Sequence, residues 1–350
     1  MSNNMRIGNF DLSTDGTYII AELSANHNGN LQIALETIKA AKECGANAIK
    51  LQTYRADTIT LDCKNEDFMI EGGTLWDGKS LYELYEEAYT PWEWHEELFS
   101  YARSLDIDIF SSPFDKSAVD FLEKLNPSAY KIASFEITDY ELVRYTASKG
   151  KPIIISTGIA TIDEIQEVVD ICKNEGNENI ILLKCTSSYP APLEEANLKT
   201  IANMKETFGV EVGFSDHTLG ITAPIVAVTL GAKVIEKHFI LNKSVGGHDC
   251  EFSLDKVEFA AMVKAVREAE KLIGKVDYSL NEKRKKQRRF CRSIYVCKDI
   301  QKGEVFSLEN LKSVRPGYGM HPKYLNEILG KEAQKNYALG DRVEEYSPSL

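Results

Sequence analysis

Two short β-branched segments, each running into a polar cluster that contains one histidine, constrain this chain more than any other feature. They are Val212-Gly-Phe-Ser-Asp-His-Thr218 and Val234-Ile-Glu-Lys-His-Phe239. Residues 219–231 between them are apolar, rich in alanine and valine, and end in a glycine, which predicts a buried helix. A strand, a helix and a strand in this order predict two parallel, neighbouring strands.

His217 and His238 are therefore predicted to end neighbouring strands about 4.8 Å apart. At that spacing the two imidazoles can reach one metal ion. The alternative is that each histidine is only a hydrogen-bonded core residue. Their matched positions at the ends of consecutive strands favour the metal site.

Strand-like and helical segments alternate along most of the chain. Strands are predicted at residues 18–23, 48–53, 107–110, 129–133, 152–156, 179–184, 211–214 and 233–238, and further helices at residues 31–44, 91–105, 117–125, 140–148, 162–174, 193–208 and 255–273. This alternation favours an α/β fold, a (β/α)8 TIM barrel, over an open doubly wound sheet. No Gly-x-Gly-x-x-Gly follows the first strand, which argues against dinucleotide binding. In such a barrel the active site lies at the carboxyl ends of the strands.

Two regions interrupt this pattern. Residues 54–90 form an irregular insertion that carries Gly72-Gly-Thr-Leu-Trp-Asp-Gly78, and long insertions commonly serve as lids or binding loops. After the barrel, the basic run at residues 281–289 predicts a solvated linker or helix. We therefore predict a barrel domain at residues 1–275, a linker at 276–291 and a small β-rich domain at 292–350. A domain of that size is marginal alone, so we expect it to dock on the barrel or on a partner subunit.

Composition excludes several classes of partner. The 350 residues carry a formal charge of −12, from 53 acidic and 41 basic residues, so we expect neither nucleic acid nor an anionic membrane as the main partner. The seven cysteines include no Cys-x-x-Cys pair, which suits a reducing cytoplasm. No basic segment runs into an apolar one at the amino terminus, and no apolar run reaches the length of about 20 residues that a membrane span needs. We expect a cytoplasmic protein with no signal peptide.

Groups that bind anions recur along the predicted strands and at their ends. They are Lys50, Ser112, Lys131, Ser134, Ser156 and Ser215. Each residue alone is weak evidence for an anion site, because a lysine is usually exposed and a serine at a strand end usually belongs to a turn. Two lysines inside apolar strands, together with several hydroxyls, predict a site for phosphate or carboxylate, whose oxygens need many donors at once.

Carboxylates share the same predicted rim. They are Glu22, Glu136, Asp216, Glu236 and Asp249. Glu22 lies inside an otherwise apolar strand, where an unpaired charge is costly, so we expect it to have a lysine partner or a catalytic role. The residues alone thus predict a metal, an anionic phosphate substrate and at least one carboxylate acid or base.

The order of these motifs resembles that of the sialic acid synthase family over nearly the whole chain. The motifs are Ala21-Glu22, Asn26-His-Asn-Gly29, Ile49-Lys-Leu-Gln-Thr53, Tyr130-Lys-Ile-Ala-Ser134, Ser156-Thr-Gly158, Lys184-Cys-Thr186, Tyr189-Pro190, Gly213-Phe-Ser-Asp-His-Thr218 and Ile235-Glu-Lys-His238. The tail, with Asp299-Ile-Gln-Lys-Gly-Glu304 and Val314-Arg-Pro-Gly317, resembles the antifreeze-like (SAF-type) domain of that family. Residues 22–26 and 77–95 look most like its pseudaminic acid synthase branch.

The resemblance implies a condensation of phosphoenolpyruvate with the open-chain aldehyde of an acylated amino sugar. The products are a nine-carbon 2-keto acid and phosphate, released by C–O cleavage. In the pseudaminic branch the sugar is 2,4-diacetamido-2,4,6-trideoxyaltrose, and the alternatives within the family are N-acetylneuraminate and legionaminate synthesis. If the insertion folds over the barrel mouth, Trp76, Tyr82 or Trp92, in the insertion or just after it, is expected to contact the methyl and acyl groups of this sugar. The alternative is that these aromatic side chains only pack the insertion onto the barrel.

The family's residue roles pass to matching positions in this chain. His217 and His238 are implied metal ligands. Lys50, Lys131, Ser134, Ser156 and Ser215, with Ser112, are implied phosphoenolpyruvate ligands. Gln52, Glu136, Tyr189, Asp249 and Arg315 are implied sugar ligands. Ser187 stands where the sialic acid branch has asparagine, so one polar contact must differ.

Several alternatives stay open at the level of sequence. The general base is either Glu22 or Glu136. The ligand types suit several divalent metals, with manganese expected and magnesium or cobalt as alternatives. The resemblance also implies a domain-swapped homodimer in which Arg315 caps the neighbouring barrel. A Schiff-base aldolase that uses Lys131 or Lys50, and a non-catalytic carbohydrate-binding protein, are the competing functions.

Overall fold

The computed structural model describes residues 5–71 and 77–343. The chain forms two compact units, Met1–Gly274 and Lys275–Leu350. Trp76, one of the predicted sugar contacts, lies outside the described residues. Among those described, no helix combines the length and the apolar character needed to cross a lipid bilayer.

The first unit is a closed barrel of eight parallel strands, which confirms the predicted TIM barrel. A short antiparallel hairpin, β1 (Arg6–Ile7) and β2 (Phe10–Asp11), precedes it. The barrel strands are β3 (Tyr18–Glu22), β4 (Ala48–Thr53), β5 (Asp108–Pro113), β6 (Tyr130–Ile132), β7 (Ile153–Ser156), β8 (Ile180–Cys185), β9 (Glu211–Asp216) and β10 (Val234–His238). They pair in sequence order, and β10 closes the barrel against β3.

Side-chain alternation along the strands separates the two faces of the barrel wall. Ile49 and Leu51 belong to the large apolar cluster between strands and helices, whereas Lys50 and Gln52 lie on the opposite face, in the interior. At the amino ends of the strands the interior is filled by apolar side chains, and Ile7 of the hairpin joins this cluster. The interior residues that follow Lys50, Phe110 and Val234 toward the carboxyl ends are polar, while Asp108 at the amino end accepts a hydrogen bond from the Tyr18 hydroxyl at 2.7 Å.

Helices cover the outside of the barrel. They are α1 (Leu31–Glu43), α2 (Ala56–Ile59), α3 (Leu81–Ala88), α4 (His95–Ser104), α5 (Lys116–Leu125), α6 (Tyr140–Ala147), α7 (Ile162–Asn174), α8 (Thr200–Phe208), α9 (Thr222–Thr229) and α10 (Lys256–Ile273). The single helix predicted at residues 193–208 is wrong. A 3-10 turn at Leu193–Glu195 is separated from α8 because Asn197 adopts a left-handed conformation with φ 44°, which asparagine tolerates better than most residues.

The insertion is more regular than its sequence predicts. It contains α2 and α3, and the Ser80 and Glu83 side chains of α3 form a capping box at its start. Trp92, predicted to contact the sugar, packs instead: its ring stacks on Phe121 at 4.6 Å and its Nε1 donates to the Tyr54 carbonyl at 3.1 Å. Trp92, just after the insertion, thus joins Tyr54 at the start of the insertion to Phe121 of α5.

The second unit is small and β-rich, as predicted. It contains α11 (Glu282–Gln287), β11 (Ser293–Val296), β12 (Leu311–Val314) and α12 (Leu325–Ile328), with β11 and β12 antiparallel. The basic run at residues 281–289 includes α11. A separate apolar core that includes Ile294, Phe306 and Ile328 holds this unit together.

Candidate active site

Four buried charges form a cluster inside the open end of the barrel. Lys50 Nζ lies 2.6 Å from Glu22 Oε2 and 3.8 Å from Glu236 Oε1, and Lys131 Nζ lies 3.9 Å from the same Glu236 oxygen. Each of these residues is at most 5% exposed. Because an unpaired buried charge is costly, the alternation of positive and negative groups is what permits their burial. Lys50 is therefore the lysine partner predicted for Glu22.

Neighbouring hydroxyls extend this cluster. Lys131 Nζ donates a hydrogen bond to Ser156 Oγ at 2.7 Å, and Lys50 Nζ donates to Ser112 Oγ at 3.3 Å. All four side chains are buried. The structure thus brings together the lysines and hydroxyls of four strands in one set of hydrogen-bond donors, the kind of environment that an anion requires.

Three more serines lie close to these donors. Ser215 Oγ donates to Glu236 Oε1 at 3.1 Å, and Ser134 Oγ accepts from the backbone N–H of Gly158 at 3.2 Å. A Cβ on Gly158 would come within 2.9 Å of Ser134 Oγ and 2.4 Å of Ser187 Oγ, so only glycine permits this close approach. Ser187 Oγ is buried without a hydrogen-bond partner among residues 5–71 and 77–343, which leaves it available to a ligand.

Burial and neighbouring charges set different pKa values within the charged cluster. Burial raises the pKa of Glu22 to about 7, although Lys50 acts in the opposite direction. Burial also opposes ionisation of Glu236, but Lys131 and Lys50 outweigh it and hold the pKa of Glu236 below its usual value. Burial lowers the pKa of Lys131. For Lys50 the carboxylates outweigh burial and raise the pKa, so Lys50 and Glu236 are both charged at neutral pH.

The two histidines meet at the ends of β9 and β10, as the sequence predicts. Their ring centroids are 5.3 Å apart, and the Phe252 ring lies 4.9 Å from that of His238. His217 Nδ1 is 3.0 Å from the Thr186 carbonyl oxygen, to which it can donate, so that Nε2 is free to bind a ligand. Cys185 Sγ lies 3.7 Å from the same Nδ1.

These contacts fit the protein part of a metal site. Metal-binding histidines commonly donate their second N–H to a carbonyl or carboxylate, as His217 does. His238 Nδ1 is buried, lies 3.8 Å from Asp249 Oδ2, and has no hydrogen-bond partner among the described residues. Within the same residues, no group of three or more histidine, cysteine, aspartate or glutamate side chains is arranged to hold a metal ion. An ion held by these two histidines would have its remaining positions open to substrate and water.

A cavity of about 370 Å³ adjoins the charged cluster through Gln52, which lines the cavity and is hydrogen-bonded to Glu22. Gln52, Glu136, Tyr189 and Asp249, all predicted to contact the sugar, line it together with His238. Gln52 Nε2 donates to Glu22 Oε1 at 3.0 Å and to Ser24 Oγ at 2.9 Å, which orients its amide. The Tyr189 ring lies 4.4 Å from the His217 ring. The volume is typical of a small-molecule site, and its polar side adjoins the two histidines.

Glu136 differs from Glu22 in its surroundings. Its Oε2 is buried and has no hydrogen-bond partner in the described part of the chain. Burial raises the pKa of Glu136 to about 7, while Lys131 acts against the rise. Glu22, by contrast, is held by Lys50 and Gln52. Glu136 is thus the carboxylate that is both available and able to change its protonation near neutral pH.

Asp216 does not share the rim: its Oδ2 lies 2.7 Å from Lys237 Nζ, and both side chains are fully buried on the face opposite Ser215 and Glu236. The signal was present in the sequence, because Asp216 falls between two inward-facing residues of the strand. Arg315 is exposed in the second unit.

Sequence reasoning missed one side of the cavity. Tyr54, Leu84, Tyr85 and Phe114 line it, whereas Tyr82 and Trp92 do not. The signal that was available is the helical spacing of Leu81-Tyr-Glu-Leu-Tyr85, which places Leu84 and Tyr85 on the buried side of α3. The closeness of Glu236 to both lysines was also missed, although Glu236 was counted among the carboxylates of the rim.

Comparison with known proteins agrees with this geometry. Residues 37–278 match the NeuB family, and residues 292–340 match the SAF domain. The chain belongs to the NeuB family. It is 54% identical to the pseudaminic acid synthase of Campylobacter jejuni over 97% of this chain and 99% of that protein. It is 51% identical to the pseudaminic acid synthase of Helicobacter pylori, over 91% of this chain and 93% of the relative.

A solved structure of the same family shares the fold. The N-acetylneuraminic acid synthetase of Leptospira borgpetersenii, in complex with citrate, superposes with a TM-score of 0.72 at 30% identity, over 82% of this chain and 95% of that one. This NeuB family member is thus an enzyme of the synthase type, as its sequence predicts. The conclusion argues against a non-catalytic carbohydrate-binding protein.

Proposed function

We propose that this enzyme condenses phosphoenolpyruvate with 2,4-diacetamido-2,4,6-trideoxyaltrose and water to give pseudaminic acid and phosphate. The observation that carries this proposal is that the buried Lys50 and Lys131 donors belong to a charged cluster that Gln52, by its hydrogen bond to Glu22, joins to a sugar-sized cavity that His238 also lines. The names of the relatives that are 54% and 51% identical support this sugar. The sialic acid synthetase of known structure, at 30% identity, is more distant.

Phosphoenolpyruvate is proposed to bind in the charged cluster. Its phosphate and carboxylate accept hydrogen bonds from Lys50, Lys131 and Ser156. The attraction between a buried ammonium and these anionic groups is stronger than in water, because the local dielectric constant is low. Ser112, Ser134 and Ser215 complete the set. Binding holds C3 of phosphoenolpyruvate beneath the cavity and excludes water from the anion.

The sugar is proposed to occupy the cavity with its aldehyde toward the histidines. His217 and His238 would hold a divalent metal ion, for which manganese is the first candidate and magnesium or cobalt the alternatives; when bound, the ion supplies Lewis acidity. Gln52, Tyr189 and Asp249 orient the sugar chain so that its C1 faces C3 of phosphoenolpyruvate. Attack by C3 forms the new C–C bond and leaves positive charge at C2, while the aldehyde oxygen takes the electron pair of its C=O π bond and is then protonated from solvent to a hydroxyl.

Glu136 is proposed to act as the general base. A water molecule adds to C2, its proton passes to the free oxygen of Glu136, and the tetrahedral intermediate expels phosphate with cleavage of the C–O bond. Both carboxyls have a pKa raised to about 7, but Lys50 lies 2.6 Å from Glu22 Oε2, whereas Glu136 Oε2 has no hydrogen-bond partner among the described residues, and this difference supports Glu136 as the base. Glu22 is instead assigned to holding Lys50 and Gln52 in place.

The decisive test is phosphate release from phosphoenolpyruvate. We expect release that requires both a divalent metal and the diacetamido sugar, with N-acetylmannosamine a poorer substrate in direct competition. A kcat/KM that favours N-acetylmannosamine would move the enzyme to the sialic acid branch. Trapping of a substrate on Lys131 or Lys50 by borohydride, without metal, would instead show a Schiff-base aldolase.

Glu136→Gln is expected to lower kcat by about 10²- to 10⁴-fold, as loss of a general base does. In the native enzyme kcat/KM should rise with pH through about 7, as Glu136 ionises, and the Glu136→Gln variant should lose this rise.

The same substitution should change how stability depends on pH. Because the folded protein favours neutral Glu136, the native enzyme loses stability as pH rises from the ordinary glutamate pKa through about 7. The variant should therefore melt at a higher temperature than the native enzyme at pH 8 but not at pH 5. Glu141→Gln, at an exposed position, is the control.

Assembly into a homodimer with composite sites is part of the proposal. Arg315 is exposed, as are Val276 and Tyr278 near the start of the second unit, at 88% and 95%. A second copy of the chain that covered these apolar groups would remove them from water.

The location proposed for this enzyme is the cytoplasm. All seven cysteines are free, which supports a reducing compartment.

Mixing two inactive variants tests the assembly. Arg315→Ala and His238→Ala chains, co-refolded, are expected to recover up to about a quarter of the native activity if Arg315 acts across the dimer, because such hybrids contain one intact site. Different affinity tags on the two chains, recovered together in tandem purification, would establish that hybrids form. Hybrids that form without any recovery would place Arg315 within its own chain or outside the reaction.

A further inference from the structure

The cavity has two chemically different sides. One side carries Gln52, Glu136, Asp249 and His238, and the other is formed by the insertion together with Phe114. From the insertion come Tyr54, Ile59, Leu84, Tyr85 and Ala88, which we call the apolar wall. The wall contains no charged side chain. A ligand that fills the cavity must therefore present a polar end to the histidines and an apolar end to the wall.

Packing holds the wall in place before any ligand binds. The Tyr54 ring makes edge contacts with both neighbours, at 5.6 Å from Tyr85 and 5.2 Å from Phe114. Tyr54 is 4% exposed and Leu84 is 8% exposed. Such aromatic contacts leave little rotamer freedom, so the shape of this side of the cavity is set by the protein.

The two tyrosines also bring hydroxyl groups to the wall. Neither hydroxyl has a hydrogen-bond partner among residues 5–71 and 77–343. Burial raises the pKa of both tyrosines, so both hydroxyls stay protonated and can donate. Tyr85 and Glu136 line the same cavity of about 370 Å³, so one ligand that fills it can contact both.

We propose that the apolar wall determines which sugar this enzyme accepts, by binding the end of the sugar farthest from the aldehyde. Leu84 and Ala88 contact the deoxygenated C6 methyl, and the Tyr85 hydroxyl binds the acylamino group at C4. This inference rests on the function proposed above and assigns its specificity to residues of the insertion.

The physical basis is the unequal effect of a hydroxyl and a methyl at such a wall. A C6 hydroxyl buried against Leu84 and Ala88 loses its hydrogen bonds to water and gains none from these side chains, whereas a methyl loses nothing. Apolar pockets discriminate single groups of this size by about 10- to 200-fold. A sugar with an acylamino group at C4 gains a hydrogen bond from Tyr85 that a C4 hydroxyl, being shorter, does not reach in the same pose.

Steady-state competition between two sugars tests this assignment. The sugars are the 6-deoxy diacetamido substrate and the same sugar carrying a C6 hydroxyl. Leu84→Asn is expected to lower the ratio of their kcat/KM values about tenfold or more, by offering a partner to the hydroxyl. Leu84→Met, which keeps an apolar side chain of similar volume, should leave the ratio within about threefold. The KM for phosphoenolpyruvate should not change in either variant.

Tyr85→Phe tests the Tyr85 hydroxyl independently, because it removes the hydroxyl and keeps the aromatic ring. It should lower kcat/KM for the diacetamido sugar about tenfold, the effect of one lost hydrogen bond, and leave an analogue without the C4 acylamino group unaffected. Tyr82→Phe, on the same helix but outside the cavity, is the matched control. If Leu84→Asn does not fold, as judged by circular dichroism, Ala88→Ser replaces it.

The outcomes separate this inference from the function on which it rests. No phosphate release by the native enzyme with the diacetamido sugar would overturn the proposed function. Native activity with that sugar, together with an unchanged ratio in Leu84→Asn and an unchanged rate in Tyr85→Phe, would overturn only the role of the wall. A lowered ratio in Leu84→Asn but not in Leu84→Met supports it.

Discussion

Replacing both His217 and His238 by alanine is expected to reduce kcat by at least about a thousandfold, since Lewis-acid stabilisation of a carbonyl contributes several kcal/mol. The two rings lie 5.3 Å apart at the ends of neighbouring strands, and His217 has its Nε2 available because Nδ1 is close to the Thr186 carbonyl. The variant should also fail to bind Mn²⁺, which electron paramagnetic resonance of the free ion measures without reference to turnover.

Two controls accompany this experiment. Chelation of the native enzyme should abolish turnover, and added Mn²⁺ should restore it. His321→Ala, in the second unit, should bind Mn²⁺ and turn over as the native enzyme does. Full activity of the double variant in ion-free buffer would show that these histidines hold no catalytic metal.

Lys50→Met is expected to raise the KM for phosphoenolpyruvate by about 10- to 150-fold, because a hydrogen bond to a charged group contributes about 1.5–3 kcal/mol. It should also lower the free energy of unfolding at pH 8 by about 3–5 kcal/mol, the usual effect of breaking a buried ion pair. The reason is that Glu22, 2.6 Å from Lys50 Nζ, is left buried with no positive partner at that distance.

The pH dependence of this loss has a definite sign. Without Lys50 the pKa of Glu22, already raised to about 7 by burial, rises further, so the folded variant holds a proton that the unfolded chain releases. The stability of the variant therefore decreases as pH rises. The difference in free energy of unfolding between the native enzyme and the variant should be smaller at pH 5.5 than at pH 8. Urea denaturation at the two pH values measures it.

Two further variants isolate the cause. Lys50→Met with Glu22→Gln should recover most of the stability at pH 8 but none of the affinity for phosphoenolpyruvate. Lys237→Met breaks an equally buried pair, 2.7 Å from Asp216 on the other face of the barrel wall. It should destabilise the protein and leave the KM for phosphoenolpyruvate nearly unchanged. Equal effects of Lys237→Met and Lys50→Met on that KM would show that the loss reflects general destabilisation.

The sequence alone determined the barrel and the inner face of its strands. Alternation of strand and helix has few compact solutions, and a period of two along a strand assigns Lys50 and Gln52 to one face without any knowledge of distant residues. The same argument brought His217 and His238 together, because consecutive parallel strands are neighbours.

Only the tertiary structure decided which groups pair and what closes the cavity. The sequence predicts both Glu22 and Glu136 at the barrel rim and does not distinguish them. In the structure Lys50 and Gln52 contact the Glu22 carboxylate, whereas Glu136 Oε2 has no hydrogen-bond partner among the described residues. Likewise Tyr85, rather than Trp92, faces the cavity. Local periodicity cannot determine such contacts, since they join residues far apart in the chain and depend on how an insertion packs. The pKa of a buried carboxyl depends on those same long-range contacts, so it too follows from the fold and not from the residue type.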